Sequence, residues 1–369
     1  MTEQLPTPEI PAVKSRNYGI DALRILAMFM VTVLHVLGQG GALSASSRVS
    51  IDHYNVAWLM EIAAYGAVDI YALISGYVGV NSRSRCSKIM LLRLQTSFWA
   101  LIIVAVFAFF PPVSPLAEEV TGNSWFNACF PMMTDMYWYI TCYFGLLFFK
   151  PLLDAAVHHT SEKRFYIFLA AIFVFFLTLP MFKDTIKIPY MGLGGGYSLI
   201  WLIALYLIGG FFRKYDIPSK IPGQFALLAA LLALLFTWIA KIELQWSQLV
   251  SYVSPTVFIT SVGLFIAFSK LNVRHKVPQK IISILSPATL GVYIIHVNPF
   301  IWKNIIKDFA RGIVDCPIPL MVLRVLGCAA TIYISCSILD IIRGKLFDLI
   351  KLKKRLGYLD DTVEKWLAQ

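Results

Sequence analysis

Apolar stretches long enough to cross a bilayer recur along nearly the whole of this chain, and no other feature narrows its possible folds so far. A span needs about 20 mostly apolar residues. Such stretches, bounded by Gly, Pro and charge clusters, lie near residues 19–38, 55–79, 89–111, 134–155, 165–182, 196–212, 222–240, 250–269, 281–302 and 318–342. They predict about ten transmembrane helices. In lipid each segment must pair its own backbone groups, so the expected class is an all-α polytopic membrane bundle. With 58% hydrophobic and 14% charged residues, too little polar surface remains for a soluble domain.

A net charge of +11 raises the question of nucleic acid or other anionic partners. Its distribution answers otherwise. With the N-terminus in the cytoplasm, 21 of the 32 Lys and Arg fall in cytoplasmic segments, 7 in the opposite segments and 4 inside spans. That asymmetry predicts both termini in the cytoplasm and no nucleic-acid partner. Residues 1–18 are polar, with no apolar core of a signal peptide, so the first span is expected to serve as its own insertion signal. The expected division is a cytoplasmic segment 1–18, a membrane domain 19–345 and a tail 346–369. In the tail, Leu349, Ile350, Leu356, Leu359, Val363 and Trp366 recur at three- and four-residue spacing between basic residues. This predicts an amphipathic helix on the cytoplasmic face, as an interfacial anchor or as a regulatory element.

Six cysteines are too few and too scattered for a disulfide scaffold or a metal site, although Cys129 and Cys316 both fall in expected outer loops, where a pairing stays open. The longest outer loop, roughly 112–133, carries Pro112, Pro115, Glu118, Trp125 and Phe126 and is expected to lie on the membrane and cap an opening. The glycine run 192–196 lacks the Lys-Ser/Thr ending of a phosphate loop.

Ionisable side chains inside spans are costly and mark function by default. The first span carries Asp21, Arg24 and His35. The 11 residues from Arg24 to His35 turn through three circuits plus about 20°, so the two share one face, about 16 Å apart along the axis. The second span carries Glu61, Asp69 and Ser75. Counting depth from each inner end matches Glu61 with His35 and brings Asp69 toward Arg24. Either Glu61 orients His35 and Asp69 accepts from Arg24, or both are structural ion pairs. His296 lies in the ninth span with Tyr293 one turn earlier, and packing and functional readings of it are equally open. The turn 81–88 gathers Arg83, Arg85 and Lys88 among serines, with Arg93 farther along. It suits phosphate binding as well as topology signalling.

With these residues in view, the chain resembles the acyltransferase-3 family of membrane acyltransferases, which includes O-acetyltransferases of bacterial surface glycans. The resemblance rests on five ordered elements. They are Tyr18-Gly-Ile-Asp21-Ala-Leu-Arg24 with His35 after it, Val68-Asp69 through Ser75-Gly76-Tyr77, the turn with Arg83 and Arg85, Tyr137-Trp138-Tyr139, and Gly291 through Tyr293 to His296. It implies transfer of an acyl group, usually acetyl, from acyl-CoA to a hydroxyl or amine, with no metal. The acceptor would be a surface glycan or glycolipid at a bacterial-type cytoplasmic membrane. On this reading His35 is the general base, with Glu61 beside it. Arg83, Arg85, Lys88 and Arg93 meet the coenzyme A phosphates, and Arg24 polarises the thioester or holds the pantetheine arm. Asp69, Ser75, Tyr293 and His296 contact substrate, and Trp138 and Tyr139 either form an aromatic sugar platform or belong to the ordinary membrane belt. Unlike some members of the family, the chain is expected to lack an appended hydrolase-like domain, which leaves open whether a partner supplies an acceptor-binding step.

Two rival classes remain. A transporter or channel would also show a polar path across a bundle, with repeat symmetry and broken helices in paired positions, neither of which is evident in the sequence. A non-catalytic sensor on the same bundle would tolerate loss of His35.

Overall fold

The computed structural model describes residues 16–111, 119–134, 136–182 and 192–367. The expectations for residues 1–15 and for Pro112, Pro115 and Glu118 lie outside the described residues.

Each expected span is helical, and their differences shape the site. Asn17 starts α1 (Tyr18–Leu37) by accepting from the Gly19 and Ile20 amides at 2.9 and 3.2 Å. After the short α2 (Ala42–Val49), the second span is two helices, α3 (Ile51–Ala64) and α4 (Ala67–Gly79), which meet at Tyr65 and Gly66. Then come α5 (Cys86–Phe109), α6 (Gly122–Cys129) and α7 (Trp138–His159). Next, α8 (Glu162–Ala171) continues through wider and tighter turns to Phe182. The helices α9 (Leu199–Lys214), α10 (Gly223–Ile242) and α11 (Pro255–Ser269) follow. Among the described residues seven helical stretches are long and apolar enough to cross a membrane unaided. The chain is thus a multi-pass membrane protein. The sixth and eighth expected spans, α9 and α11, have 16 and 15 residues. Most residues of both are buried, so protein replaces lipid around them.

The ninth span is broken. It comprises α12 (Lys276–Leu285), α13 (Thr289–His296) and α14 (Pro299–Ile301), and the axis turns by 61° after His296. Pro299 lacks the N–H that would continue the ladder, and the Asn298 side chain accepts from Phe300 N at 3.1 Å to start the next turn. This is the one bent pair among the described residues, so no second bent pair in a corresponding position accompanies it there. The chain closes with α15 (Ile318–Leu349) and, after Lys351 at φ 54°, α16 (Leu352–Leu367).

At the centre α4 and α9 touch backbone to backbone. A Cβ on Gly76 would stand 1.9 Å from the Tyr206 carbonyl oxygen, and one on Gly209 2.2 Å from that of Leu73. Against them α1 packs with α13 and α15, so its polar stripe faces the bundle interior.

Candidate active site

A cavity of about 460 Å³ runs along the inner face of α1, lined by Arg24, Met28, Val31, Leu34 and His35. This is the stripe that the helical spacing predicts. The opposite walls come from Val68, Tyr71 and Ser75 of α4, Tyr143, Leu146 and Lys150 of α7, and Leu290 and Tyr293 of α13. At one end stand Arg83, Ser84, Arg85 and Lys88 from the α4–α5 turn. At the other stand His35 and the rings of Trp138, Tyr139, Tyr197 and Tyr252. A largely apolar passage therefore joins a cationic mouth to a histidine.

His35 is held by another histidine. Its Nδ1 lies 2.7 Å from Nε2 of His296, whose Nδ1 lies 2.5 Å from the Val292 carbonyl oxygen. A carbonyl can only accept, so Nδ1 of His296 carries the proton. With both rings neutral, His296 Nε2 is an acceptor and His35 Nδ1 must donate to it. The His35 lone pair then sits on Nε2, which no hydrogen bond among the described residues engages. The break after His296 delivers a second contact, because the next turn places Trp302 edge-on to the His35 ring at 4.6 Å. The Asn298-Pro299 pair within an apolar span was the available signal for this arrangement.

The pairings inferred from depth do not form. Arg24 Nη1 donates to Asp21 Oδ1 at 2.8 Å and to Ser286 Oγ at 3.1 Å, and Arg16 pairs with the second oxygen of Asp21. Asp21, three residues before Arg24 on the same helix, thus takes the role expected of Asp69. Asp69 is fully buried and accepts from Trp201 Nε1 at 2.9 Å, with Oδ2 unpartnered. Glu61 is buried with Oε2 unpartnered, and no hydrogen bond among the described residues joins it to His35. Neither carboxylate lines the cavity. The depth count treated the second span as one straight helix, whereas the chain changes helices at Tyr65 and Gly66, between the two acids.

At the mouth, Lys150 joins the three cations expected from the turn, although spacing alone did not single it out. It is buried to 6% exposure and donates to the Ser82 carbonyl at 2.7 Å and to Asp154 at 2.5 Å. Tyr206 donates to the other Asp154 oxygen at 2.7 Å. Lys150 thereby ties the basic turn to α7. A lysine amid Phe148, Phe149 and Pro151 in an apolar run was its signal. Arg93 is elsewhere, its guanidinium 5.6 Å from the Phe130 ring centre.

That last contact also relocates the long loop. Ser97 Oγ donates to the Cys129 carbonyl at 3.1 Å, and Ser97 lies about 16 Å along α5 from its first residue. The segment around α6 therefore folds back along α5. Trp125 and Phe126, two of the residues expected in the lid, do not line the cavity. Cys129 and Cys316 are both free thiols.

The aromatic end is continuous. Ring centres of Trp138 and Tyr197 are 4.6 Å apart, those of Tyr197 and Tyr252 5.0 Å, and those of Tyr139 and Tyr293 6.1 Å. Ser75 also lines the passage, its hydroxyl bonded back to the Tyr71 carbonyl at 2.8 Å. Of the residues singled out in the sequence, the cavity gathers Arg24, His35, Ser75, Arg83, Arg85, Lys88, Trp138, Tyr139 and Tyr293. His296 acts on it through His35, while Glu61, Asp69 and Arg93 stay outside.

A family model described as an acyltransferase domain matches residues 17–340, nearly the whole chain. Comparison with curated proteins and with solved structures returned no match.

Proposed function

We propose, on the premise that this chain belongs to the acyltransferase-3 family and is a membrane acyltransferase, that it moves an acetyl group from cytoplasmic acetyl-CoA to a hydroxyl of a surface glycan or glycolipid. One observation carries the reading. A single cavity joins four cations at its mouth to the one histidine that lines it. Coenzyme A is a polyanion with a thin, largely neutral arm, and the passage has the same order of parts. Arg83, Arg85, Lys88 and Lys150 would receive the phosphates. The pantetheine arm would follow Met28, Val31 and Leu34 toward His35. Arg24 lies about 16 Å short of His35 along α1, beyond the reach of one side chain, so it holds the arm rather than the reacting carbonyl.

At the far end His35 Nε2 takes the proton of the acceptor hydroxyl as its oxygen attacks the thioester carbonyl carbon. The C–S bond then breaks, and the leaving sulfur takes that same proton back from His35 Nε2 to depart as the coenzyme A thiol, which restores the base. Donation from His35 Nδ1 to His296 holds the ring in the tautomer this step needs. The rings of Trp138, Tyr197 and Tyr252 offer faces on which the apolar side of a sugar stacks. The donor then enters from the cytoplasmic mouth and the acceptor from the aromatic end, with both termini in the cytoplasm.

The test uses purified protein in lipid with labelled acetyl-CoA and candidate surface glycans. Wild type transfers label, and His35→Ala loses about 100- to 10,000-fold in turnover while still binding coenzyme A. Arg83→Ala binds coenzyme A about tenfold more weakly, with a reduced salt dependence. Solute uptake by vesicles with no transfer to any acceptor would replace this reading with transport.

A further inference from the structure

The helix that carries the basic mouth begins without a cap of its own. At the start of α5 the preceding residue, Arg85, is extended and makes no side-chain cap hydrogen bond. The first amides of a helix have no partner within it and need one from elsewhere. Here the partner comes from the far end of the chain. Asp360, on the tail helix α16, accepts from Ser87 N through Oδ1 at 2.9 Å and from Ser87 Oγ through Oδ2 at 2.5 Å. Ser87 sits between Arg85 and Lys88, both of which line the mouth.

We propose that Asp360 is a positioning residue for the donor site: it caps α5 from the tail and so fixes the turn that presents Arg83, Arg85 and Lys88. This rests on the reading of that mouth as the place where the donor phosphates bind.

The location suits positioning better than competition with the donor. Both Asp360 oxygens are spent on Ser87, so the carboxylate holds the backbone rather than occupying the passage. Desolvation pushes the Asp360 carboxyl up, but the Ser87 hydrogen bonds and the Arg85 guanidinium outweigh it and hold it below the ordinary aspartate value. The cap is therefore ionised at neutral pH. A lowered value means that its contribution is complete above about pH 4 and is lost as pH falls through the folded value. The remainder of the tail fits a membrane-surface role without competing for Asp360. Leu359, Val363 and Trp366 stay exposed at 42, 38 and 71% and are free to meet lipid.

Two variants separate the cap from the charge. Asparagine keeps an oxygen that accepts from a helix amide, whereas alanine keeps none. With full-length protein in lipid nanodiscs, Asp360→Ala should bind coenzyme A about fivefold more weakly, the size of a lost helix cap. It should raise the KM for acetyl-CoA by the same factor with kcat unchanged. Asp360→Asn should stay within about twofold of wild type. Amide exchange at residues 86–88 should accelerate in Asp360→Ala and not in Asp360→Asn. Unchanged coenzyme A binding in Asp360→Ala would overturn the proposal, and so would tighter binding in both variants, which would make the carboxylate a competitor of the donor. Wild type that binds no coenzyme A would overturn the donor site and this role with it. Exchange at 86–88 would then still report whether Asp360 caps the helix, so the two failures are told apart.

Discussion

At the basic end of the cavity, three of the four cations come from one stretch of six residues, Arg83 to Lys88. At the other end, His35 owes its orientation to His296, 261 residues away on a helix that stops because Pro299 follows. The mouth is local in sequence and largely exposed, and charge can do its work there without close fit. The histidine end is buried, and one ring nitrogen is useful only if another helix arrives in register. Substitutions at the two ends should therefore fail differently. Loss of a mouth cation should weaken donor binding, whereas damage at the far end should lower turnover with binding intact.

The largest of these effects, after removal of His35 itself, belongs to its partner. His296→Ala removes the acceptor for His35 Nδ1 and frees the ring to adopt the tautomer or rotamer that turns its lone pair away. The expected loss in kcat is about tenfold to a thousandfold, with coenzyme A affinity unchanged. His296→Gln places an amide oxygen near the former Nε2 and should recover part of the loss. Equal kcat in His296→Ala and wild type would mean that the pair only packs. The contrast between the two ends would then disappear.

How much of this was legible follows from the distances over which each feature is encoded. Arg24, Met28, Val31 and His35 share one helix, so angular spacing alone places them on one face. Arg83, Arg85 and Lys88 share one turn, and their clustering was visible directly. The Asp21–Arg24 pair, three residues apart, was equally local, yet the depth count favoured Asp69 by assuming a straight second span. The His35–His296 contact depends on the axial register of two helices, which no residue pattern specifies, and on a 61° bend whose one local signal was the Asn298-Pro299 pair. Asp360 carried no signal at all, because a cap supplied across 273 residues looks in sequence like any acidic residue on a polar face. The fold-back of α6 was hidden for a related reason. Its Trp125 and Phe126 suit a membrane surface as well as a lid.

A smaller effect should come from the packing that carries His296. Gly291 lies on α13, and a Cβ there would stand 2.0 Å from Cγ of Asp340. Asp340 cannot move aside easily. It is held by Arg343 at 2.7 and 2.9 Å and by Trp99 Nε1 at 2.9 Å. Gly291→Ala should therefore shift α13 at a cost of about 1–3 kcal/mol, read as a lower Tm. Turnover should fall further than donor binding, because the mouth lies on other helices. Equal losses in both would show that the two ends of the cavity are mechanically one unit.

The smallest expected effect concerns the carboxylate once matched to His35. Glu61→Gln keeps the side-chain shape and removes only the ionisable oxygen. Since the Glu61 Oε2 has no partner and its side chain does not line the cavity, kcat/KM should change by less than about twofold. The pH profile of turnover should also be unchanged, because on the proposed mechanism the proton taken by His35 Nε2 is shared with His296 and not with any group on α3. A large drop in kcat with a shifted profile in Glu61→Gln, alongside a silent His296→Ala, would restore Glu61 as the group that orients His35. The histidine end would then be built, like the mouth, from neighbouring stretches of the first half of the chain.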